Sequence, residues 1–486
     1  MPASRLSLRL FVLAASGLGV SCSLSNSQIQ PCVERQECRD AFGLDWTCGE
    51  LGYCEPYAHH PRCQDVTPPD LLENSDRYSD AYVIGSLLDN EADRPEKQAI
   101  AMAVNQINGG GGLDGRAVVL FSCSYEENSE LDDASSETLV EELAHHLTET
   151  VGALAVVGPA TSSLTQLVFD VFDDNQTLLI SPSASSPSLT PIDGLAHSDE
   201  NPGLFWRTIG PDTVQAYAIS EDMIARGVTG AAVVYESGAY GEGLAETFME
   251  NFSVQEGREV SAHLFFDTGD LELALADVAA LPSAQFQEVL FIASELATIA
   301  EFLNSVVGLE GFAGKQLFLP DAAAETDLFA ATIDAAALYP SIRGTRPAVP
   351  SGVLYDGFKA AYAGTYPGED AADSVYTAHS YDAAWLAMYA LTWATFQEEN
   401  LSGPSLARGL RRVSAGDEIQ IRSTDWPDLK AHFKEGQTVD VVGASGLLDF
   451  DPETEETTGP IEVWEIVGDE SPDFSVLYTY EPTEEP

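Results

Sequence analysis

The fold of this chain is constrained most by two short apolar runs. Each run is followed directly by a segment rich in hydroxyl-bearing residues. The first run ends at Val157 and continues as Gly158-Pro159-Ala160-Thr161-Ser162-Ser163. The second run, residues 178–180, continues as Ser181-Pro182-Ser183-Ala184-Ser185-Ser186. A strand that stops at glycine or proline just before a helix is typical of an open α/β sheet. We therefore expect both loops at the carboxyl ends of neighbouring parallel strands, the edge at which small ligands bind.

The chemistry of these two loops suits a small anion. Free backbone N–H groups at a helix N-terminus, placed beside serine and threonine hydroxyls, favour a carboxylate. The alternative is that each segment is an ordinary turn with a helix N-cap.

The same alternation of strand and helix continues over most of the chain. Apolar runs at residues 81–85, 117–121, 153–157 and 178–180 are separated by helical patterns, and a second series follows Thr208. Its strands are predicted at residues 231–235, 260–265, 289–293, 316–319 and 461–466, and a long buried helix is predicted at 376–395. This pattern predicts an α/β protein with two parallel sheets, each covered by helices.

The spacing from Gly158 through Ser162, Gln166 and Asp170 to Ile180 resembles that of the branched-chain amino-acid-binding proteins. The chain is identified on this basis as a member of the type I periplasmic binding proteins, and the likeness runs from residue 82 to 466. Further shared segments are Tyr240-Gly241-Glu242-Gly243-Leu244-Ala245, Tyr381-Asp382-Ala383-Ala384 and residues 446–451.

The resemblance implies two lobes joined by three crossings near Thr208, Arg343 and Gly446. The first ligand-binding lobe is expected to comprise residues 81–208 and 344–445, and the second residues 209–343 and 446–486. A Cys-rich module at 23–66 and a linker at 67–80, which is polar and contains Pro68-Pro69, are expected before the lobes.

The resemblance also implies a ligand site. Ser162, with Ser163, matches the group that binds the ligand carboxylate, and Ser183, Ala184 and Ser185 match the second loop. Tyr240 matches an aromatic that closes over the ligand, although a packed strand-end aromatic is the alternative.

On the second lobe, Asp321 occupies the position expected to bind the ligand ammonium, but this acid-rich chain has carboxylates at many other positions. Ser294 stands where the family often has an aromatic residue, which leaves polar ligands open as well as branched-chain ones.

The N-terminal residues predict export. Arg5 and Arg9 precede an apolar stretch, and residues 1–22 read as a secretory signal. Leu18-Gly19-Val20-Ser21-Cys22 resembles a bacterial lipobox, which predicts lipid anchoring at Cys22 in the periplasm or cell envelope of a bacterium. Cleavage by the general signal peptidase, leaving a free protein, is the alternative. Past the signal, no apolar stretch is long enough to span a bilayer, which excludes a channel or permease.

The remaining cysteines form an even set in an exported chain, so disulfides are expected. Because five of the six, an odd number, lie within residues 32–63, one of these five is expected to pair with Cys123, and we select Cys63 as that partner. A zinc site with His59 and His60 is the alternative, but the spacings lack Cys-x-x-Cys pairs. The six are Cys32, Cys38, Cys48, Cys54, Cys63 and Cys123.

Composition narrows the function further. The formal net charge is -56, from 78 acidic and 22 basic residues, and it argues against nucleic-acid binding because phosphates would be repelled. The chain carries no nucleophile elbow, Walker motif or dinucleotide-binding motif. We therefore expect no enzyme activity, metal or cofactor.

The expected partners are a small ligand such as an amino acid, an ABC permease, and the membrane through the lipid anchor. A ligand sensor or surface scaffold without transport is the rival interpretation.

Overall fold

The computed structural model describes residues 30–126, 134–254, 257–266, 268–468 and 471–482. The predicted signal at 1–22 and the lipidation site Cys22 lie outside these ranges. Within them, each helix is too short or too polar to cross a bilayer.

The strands are numbered in chain order. They are β1 (Trp46–Cys48), β2 (Cys54–Pro56), β3 (Asp65–Thr67), β4 (Tyr82–Leu87), β5 (Val118–Cys123), β6 (Ala155–Val157), β7 (Leu178–Ser181), β8 (Phe205–Arg207), β9 (Gly230–Glu236), β10 (Glu259–Phe265), β11 (Glu288–Ile292), β12 (Gln316–Leu319), β13 (Ile342–Pro347), β14 (Asp417–Gln420), β15 (Val439–Val442), β16 (Ile461–Val467) and β17 (Asp473–Tyr480).

The α-helices are α1 (Arg35–Phe42), α2 (Arg94–Gly109), α3 (Ser136–His145), α4 (Ser162–Asp174), α5 (Thr213–Ala225), α6 (Ala239–Ser253), α7 (Thr268–Ala280), α8 (Leu296–Val306), α9 (Asp327–Ala331), α10 (Val353–Thr365), α11 (Tyr376–Gln397), α12 (Gly403–Leu410) and α13 (Trp426–Lys434). A π-helical turn, His146–Val151, continues α3.

The first lobe is built on a sheet with the order β3-β5-β4-β6-β7-β8. Its strands are parallel except β3, which pairs antiparallel with β5. Every residue of β4 and β5 is buried, as expected for strands covered on both faces. Helix α11 packs over this sheet and is buried from Thr377 to Ala394, which explains its apolar residues on every side.

The second lobe has a sheet with the order β10-β9-β11-β12-β13-β16-β17. The first five strands are parallel, and β16 and β17 complete the sheet antiparallel. The predicted α/β class with two parallel-dominated sheets is therefore confirmed.

Three disulfides confirm the expected oxidation of the cysteines. Cys32 pairs with Cys48 and Cys38 with Cys54 inside the N-terminal module, whereas Cys63 pairs with Cys123 at the end of β5. The predicted Cys63–Cys123 pairing is confirmed. The zinc alternative is wrong for these cysteines because their sulfurs are bonded to one another.

The module is also attached to the first lobe by arginines. Arg39 donates to the Val151 carbonyl at 2.6 Å, and Arg35 donates to the Glu149 carbonyl. Gly152 has a φ of +67°, and a Cβ there would lie 1.2 Å from the Arg35 guanidinium. The backbone conformation therefore favours glycine at 152, and a side chain there would also displace the end of the Arg35 side chain.

The structure differs from three predicted boundaries. The expected linker at 67–80 is packed against the lobe, because Leu71 and Tyr78 are buried in the first core. Arg343 lies inside β13 and pairs with Glu465, so the second crossing follows Pro347.

The third crossing also comes later than expected, because residues after Gly446 remain on the first lobe. Leu448 and Phe450 belong to its core, and the Glu456 carboxylate accepts from Arg207 at 2.6 Å. The chain enters the second lobe near Pro460, just before β16. Thr208 lies at the first crossing as predicted, directly after β8.

Candidate functional site

The two hydroxyl-rich loops lie side by side at one edge of the first sheet. β6 pairs in parallel with β7, and α4 begins at Ser162 with the Thr161 hydroxyl accepting from the Leu164 N–H at 3.4 Å. The predicted juxtaposition of the loops is therefore present.

Several of the predicted hydroxyls connect the loops to each other. Ser162 Oγ accepts from the Ser186 N–H at 3.1 Å, and Ser183 Oγ donates to the Ala160 carbonyl at 2.8 Å. Ser181 Oγ donates to the Pro159 carbonyl at 2.7 Å and accepts from the Ala184 N–H of its own loop at 3.0 Å. These bonds hold the loops in a fixed relation, so the hydroxyls have a structural role in addition to any contact with a ligand.

The second lobe contacts these loops through the start of α6. The Ala239 N–H donates to Ser163 Oγ at 3.1 Å, and Ser186 Oγ donates to the Ala239 carbonyl at 2.6 Å. A Cβ on Gly238, which has a φ of +114°, would lie 2.6 Å from Ser163 Oγ. The lobes are therefore in the closed arrangement.

Asp321 is the centre of the site on the second lobe. It follows β12, is 6% exposed, and accepts from the hydroxyls of Tyr240 and Tyr376. Gln215 Nε2 donates to it at 2.9 Å. Burial, with Asp321 alongside, holds the pKa of Tyr240 well above its usual value, so the phenol remains a donor. Tyr240 and Asp321, which are both predicted site residues, are therefore in direct contact.

Asp212 is a site residue that the sequence interpretation missed. Its carboxylate accepts from Ser185 Oγ at 2.9 Å, and burial followed by repulsion from Asp321 raises its pKa well above the usual range. Ser185, Asp212, Gln215, Asp321 and Tyr376 line one small cavity between the lobes, with a volume of about 10 Å³. A larger cavity of about 620 Å³ lies on the hinge side, along the crossing segments, and lacks this concentration of ionisable groups.

Ser294 follows β11 as predicted, but the described residues show no hydrogen bond that links it to Asp321. Its N–H donates to Glu236 Oε1 at 2.7 Å. Burial raises the pKa of Glu236 to about 7. The structure therefore places Ser294 beside a second, half-buried carboxylate of the same lobe.

Three further carboxylates that the sequence interpretation missed lie between the lobes. Asp93 accepts from the Asp89 N–H at 2.8 Å and from the Tyr125 hydroxyl at 3.2 Å, and Glu96 accepts from the Ser374 hydroxyl. Glu325 approaches from the second lobe. Burial is the main cause that raises the pKa of Asp93 and of Glu325 to about 7 and that of Glu96 to about 8.

A matching family model and two similar proteins are each described as binding a ligand or a substrate. A family model described as the receptor family ligand binding region matches residues 95–469. The Leu/Ile/Val-binding protein homolog 3 of Brucella melitensis is 31% identical over 199 residues, which is 40% of this chain and 48% of that protein. The chemotactic signal transduction system substrate-binding protein BasB of Halobacterium salinarum is 26% identical over 371 residues, 75% of this chain and 80% of that protein. The matched region thus spans about half of the Brucella protein.

Solved structures share the fold at low sequence identity. The branched-chain amino acid transporter substrate-binding protein LivJ of Streptococcus pneumoniae, in complex with isoleucine, has a TM-score of 0.59 at 17% identity. It covers 82% of this chain, and 99% of its own length is matched. The leucine-binding protein LivK of Thermotoga maritima has a TM-score of 0.61 at 17% identity, covering 83% of this chain and 99% of its own.

Proposed function

Since this chain belongs to the family of receptor ligand-binding regions, we propose that it is an extracytoplasmic solute-binding protein that captures a small amino acid between its two lobes. The family membership confirms the type I periplasmic binding protein resemblance. It also confirms that this is a ligand-binding protein and not an enzyme.

The observation that carries the proposal is the pairing of unlike groups across the cleft. On the first lobe, the N-terminus of α4 and the adjoining loop offer N–H and hydroxyl donors, which suit a carboxylate. On the second lobe, Asp321 offers a buried carboxylate held by Tyr240 and Gln215, which suits an ammonium. This arrangement is complementary to an α-amino acid zwitterion.

Ligand contacts from both lobes would favour the closed arrangement, because a ligand shifts an equilibrium by its differential affinity for the two states. In transport, the closed protein would deliver its cargo to an ABC permease. The names of relatives such as the Streptococcus transporter protein support this role.

A second candidate function is ligand sensing without transport. The observation that favours it is the match to the Halobacterium chemotactic protein, which extends over 75% of this chain. Co-purification from cells separates the two functions, since recovery of permease subunits supports transport and recovery of a chemotaxis receptor supports sensing.

Export through the signal at 1–22 and lipid anchoring at Cys22 complete the proposal. Incorporation of radiolabelled palmitate into the wild type and not into Cys22→Ala would support the anchor. Equal labelling of the two proteins would refute it.

The ligand-binding test begins with a thermal-shift screen against amino acids, amides and small organic acids, because a ligand specific for the native state raises its melting temperature. Calorimetry of the best ligand with Ser185→Ala follows. We expect affinity to fall about 10-fold, since Ser185 holds Asp212 at the site. Ser253→Ala, on the exposed end of α6, is the control and should bind like wild type. If no compound binds, the proposed function is wrong.

A further inference from the structure

The carboxylates of Asp93, Glu96 and Glu325 form a second acidic group in the cleft, which we call the interlobe triad. Asp93 immediately precedes α2 and Glu96 lies in its first turn. Glu325 belongs to the second lobe, between the turn at Asp321 and helix α9. Repulsion from Asp93 and Glu325 is among the causes that raise the pKa of Glu96, and repulsion from Asp93 is among those that raise the pKa of Glu325, so the triad brings like charges together from both lobes.

Glu96 carries the observation that points to an absent ligand. The residue is only 4% exposed, and the Ser374 hydroxyl donates to Oε1. Its other oxygen, Oε2, is buried and has no hydrogen-bond partner among the described residues. Burying a carboxylate oxygen without a partner is costly, so such an atom calls for a donor that binding would supply.

The basic side chains next to the interlobe triad are paired with groups outside it. Lys97 donates to Asn90, and its Nζ lies 3.8 Å from the Asp65 carboxylate. Arg94 pairs with Glu369. The acidic composition of the chain explains hydrated carboxylates on its surface, but it does not explain buried ones, because acidic residues are rarely buried without a paired charge.

The interlobe triad adjoins the Asp321 site. Ser374, which contacts Glu96, is two residues from Tyr376, which contacts Asp321. Glu325 lies within electrostatic range of Asp321. The groups that contact Glu96 and Asp321 therefore lie at adjoining positions, just before and at the start of α11.

From this geometry we infer that the ligand is an amino acid with a basic side chain, whose side-chain cation binds to Asp93, Glu96 and Glu325. The inference rests on the proposed function, because Asp321 and the first-lobe loops bind the ammonium and the carboxylate of the same molecule. A basic side chain brings N–H donors to Glu96 Oε2 and neutralises the repulsion between the lobes. Both effects stabilise the closed arrangement.

The test is calorimetry on the full chain with L-lysine and L-arginine, compared with L-citrulline and L-leucine. Citrulline matches the shape of arginine but carries no side-chain charge. We expect the basic amino acids to bind at least about 10-fold more tightly than the neutral ones, because hydrogen bonds to charged groups are the strong class. Cadaverine, which resembles lysine without its carboxylate, and Ca²⁺ alone are included as further probes.

Two substitutions locate the effect. Glu96→Gln and Asp93→Asn are expected to weaken lysine binding about 10- to 100-fold, because each removes a carboxyl that a bound cation would ionise while keeping the shape of the side chain. The control is Glu250→Gln on the exposed face of α6, which makes the same change in net charge far from the cleft. Circular dichroism checks that each variant is folded.

The outcomes separate the inference from the proposed function. Equal binding of arginine and citrulline, or lysine binding unaffected in folded Glu96→Gln, overturns the inference while leaving amino-acid capture intact. Preferred binding of cadaverine over lysine, or of Ca²⁺ with no amino acid, overturns both. Selective, Glu96-dependent binding of basic amino acids supports both.

Discussion

Asp382 shows how one buried carboxylate organises a distant turn. It accepts from the Ala444 N–H at 2.9 Å, from the Ser445 N–H at 2.7 Å and from Ser445 Oγ at 2.6 Å. A Cβ on Gly443 would lie 2.1 Å from its Oδ2. The shared segments that led to the family resemblance, one around Asp382 and one beginning at Gly446, are thus linked through this turn.

Replacing Asp382 by alanine is expected to destabilise the protein by about 3 kcal/mol, because three donors lose their acceptor in a buried place. Urea unfolding measures the change. The exposed Asp277→Ala on α7 is the control and should change stability by less than about 0.5 kcal/mol. A loss of under about 1 kcal/mol in Asp382→Ala would contradict this role.

Glu96 gives a prediction about pH. Burial raises its pKa from 4.5 to about 8, so the folded state holds a proton that the unfolded state releases. This contribution to stability is present below about pH 4.5 and is lost as the pH rises towards 8. Asp93, Glu325, Ser374 and Tyr362 face the same carboxyl, and the titration of Asp93 and Glu325 broadens the transition.

The measurement is the melting temperature of the ligand-free protein at pH 5 and pH 8. Wild type should lose more stability over this interval than Glu96→Gln, because glutamine does not titrate. Comparing the two proteins cancels the effect of all other titrating groups outside the cleft. Parallel pH profiles would show that Glu96 is ionised at both pH values.

The sequence identified part of the candidate site and missed the rest for a definable reason. The loops that contain Ser162 and Ser185 are predicted because they follow apolar strands at a loop-to-helix junction, whereas Asp321 is assigned through the family resemblance. No flanking sequence pattern distinguishes Asp212, Asp93 and Glu96 from the other acidic residues of this chain, which has 78 in total. Only burial between the lobes distinguishes them, and burial is a property of the folded chain.

At the scale of elements, the interior strands β9, β11 and β12 and the edge strand β10 were predictable, whereas the edge strands β3, β8 and β17 were not. β9, β11 and β12 match their predicted ranges within one residue because continuous apolar runs indicate strands covered on both faces. β17, with alternating half-exposed residues, and the short pair β14 and β15 were missed. Their structure depends on pairing with partners that are remote in sequence.

The disulfide between Cys63 and Cys123 closes a loop with a sequence separation of 60 residues. Replacing both cysteines by serine is expected to lower the free energy of unfolding by up to about 4 kcal/mol, because the unfolded chain regains loop entropy. Denaturant titration under non-reducing conditions measures the loss. Replacing Cys32 and Cys48, separated by 16 residues, gives the comparison and should cost less. The opposite order would contradict the loop-entropy account.

At the scale of the whole molecule, the net charge of -56 is the dominant electrostatic property. Self-repulsion of the folded state decreases as salt screens it. We expect the melting temperature to rise as NaCl increases from about 0.05 to 0.5 M, where the Debye length falls steeply, and then to level off. A linear rise that continues to several molar would instead indicate a general effect of salt on hydration. Differential scanning calorimetry distinguishes the two.

The attachment of the N-terminal module to the first lobe has a mechanical consequence. With the Cys63–Cys123 bond and the Arg39 contact holding it, the module and that lobe move as one body. Relative to the module, ligand capture is then a movement of the second lobe alone. A tether attached to the module would hold the first lobe in place. The second lobe, which is free to meet a partner, would therefore make the entire closing movement.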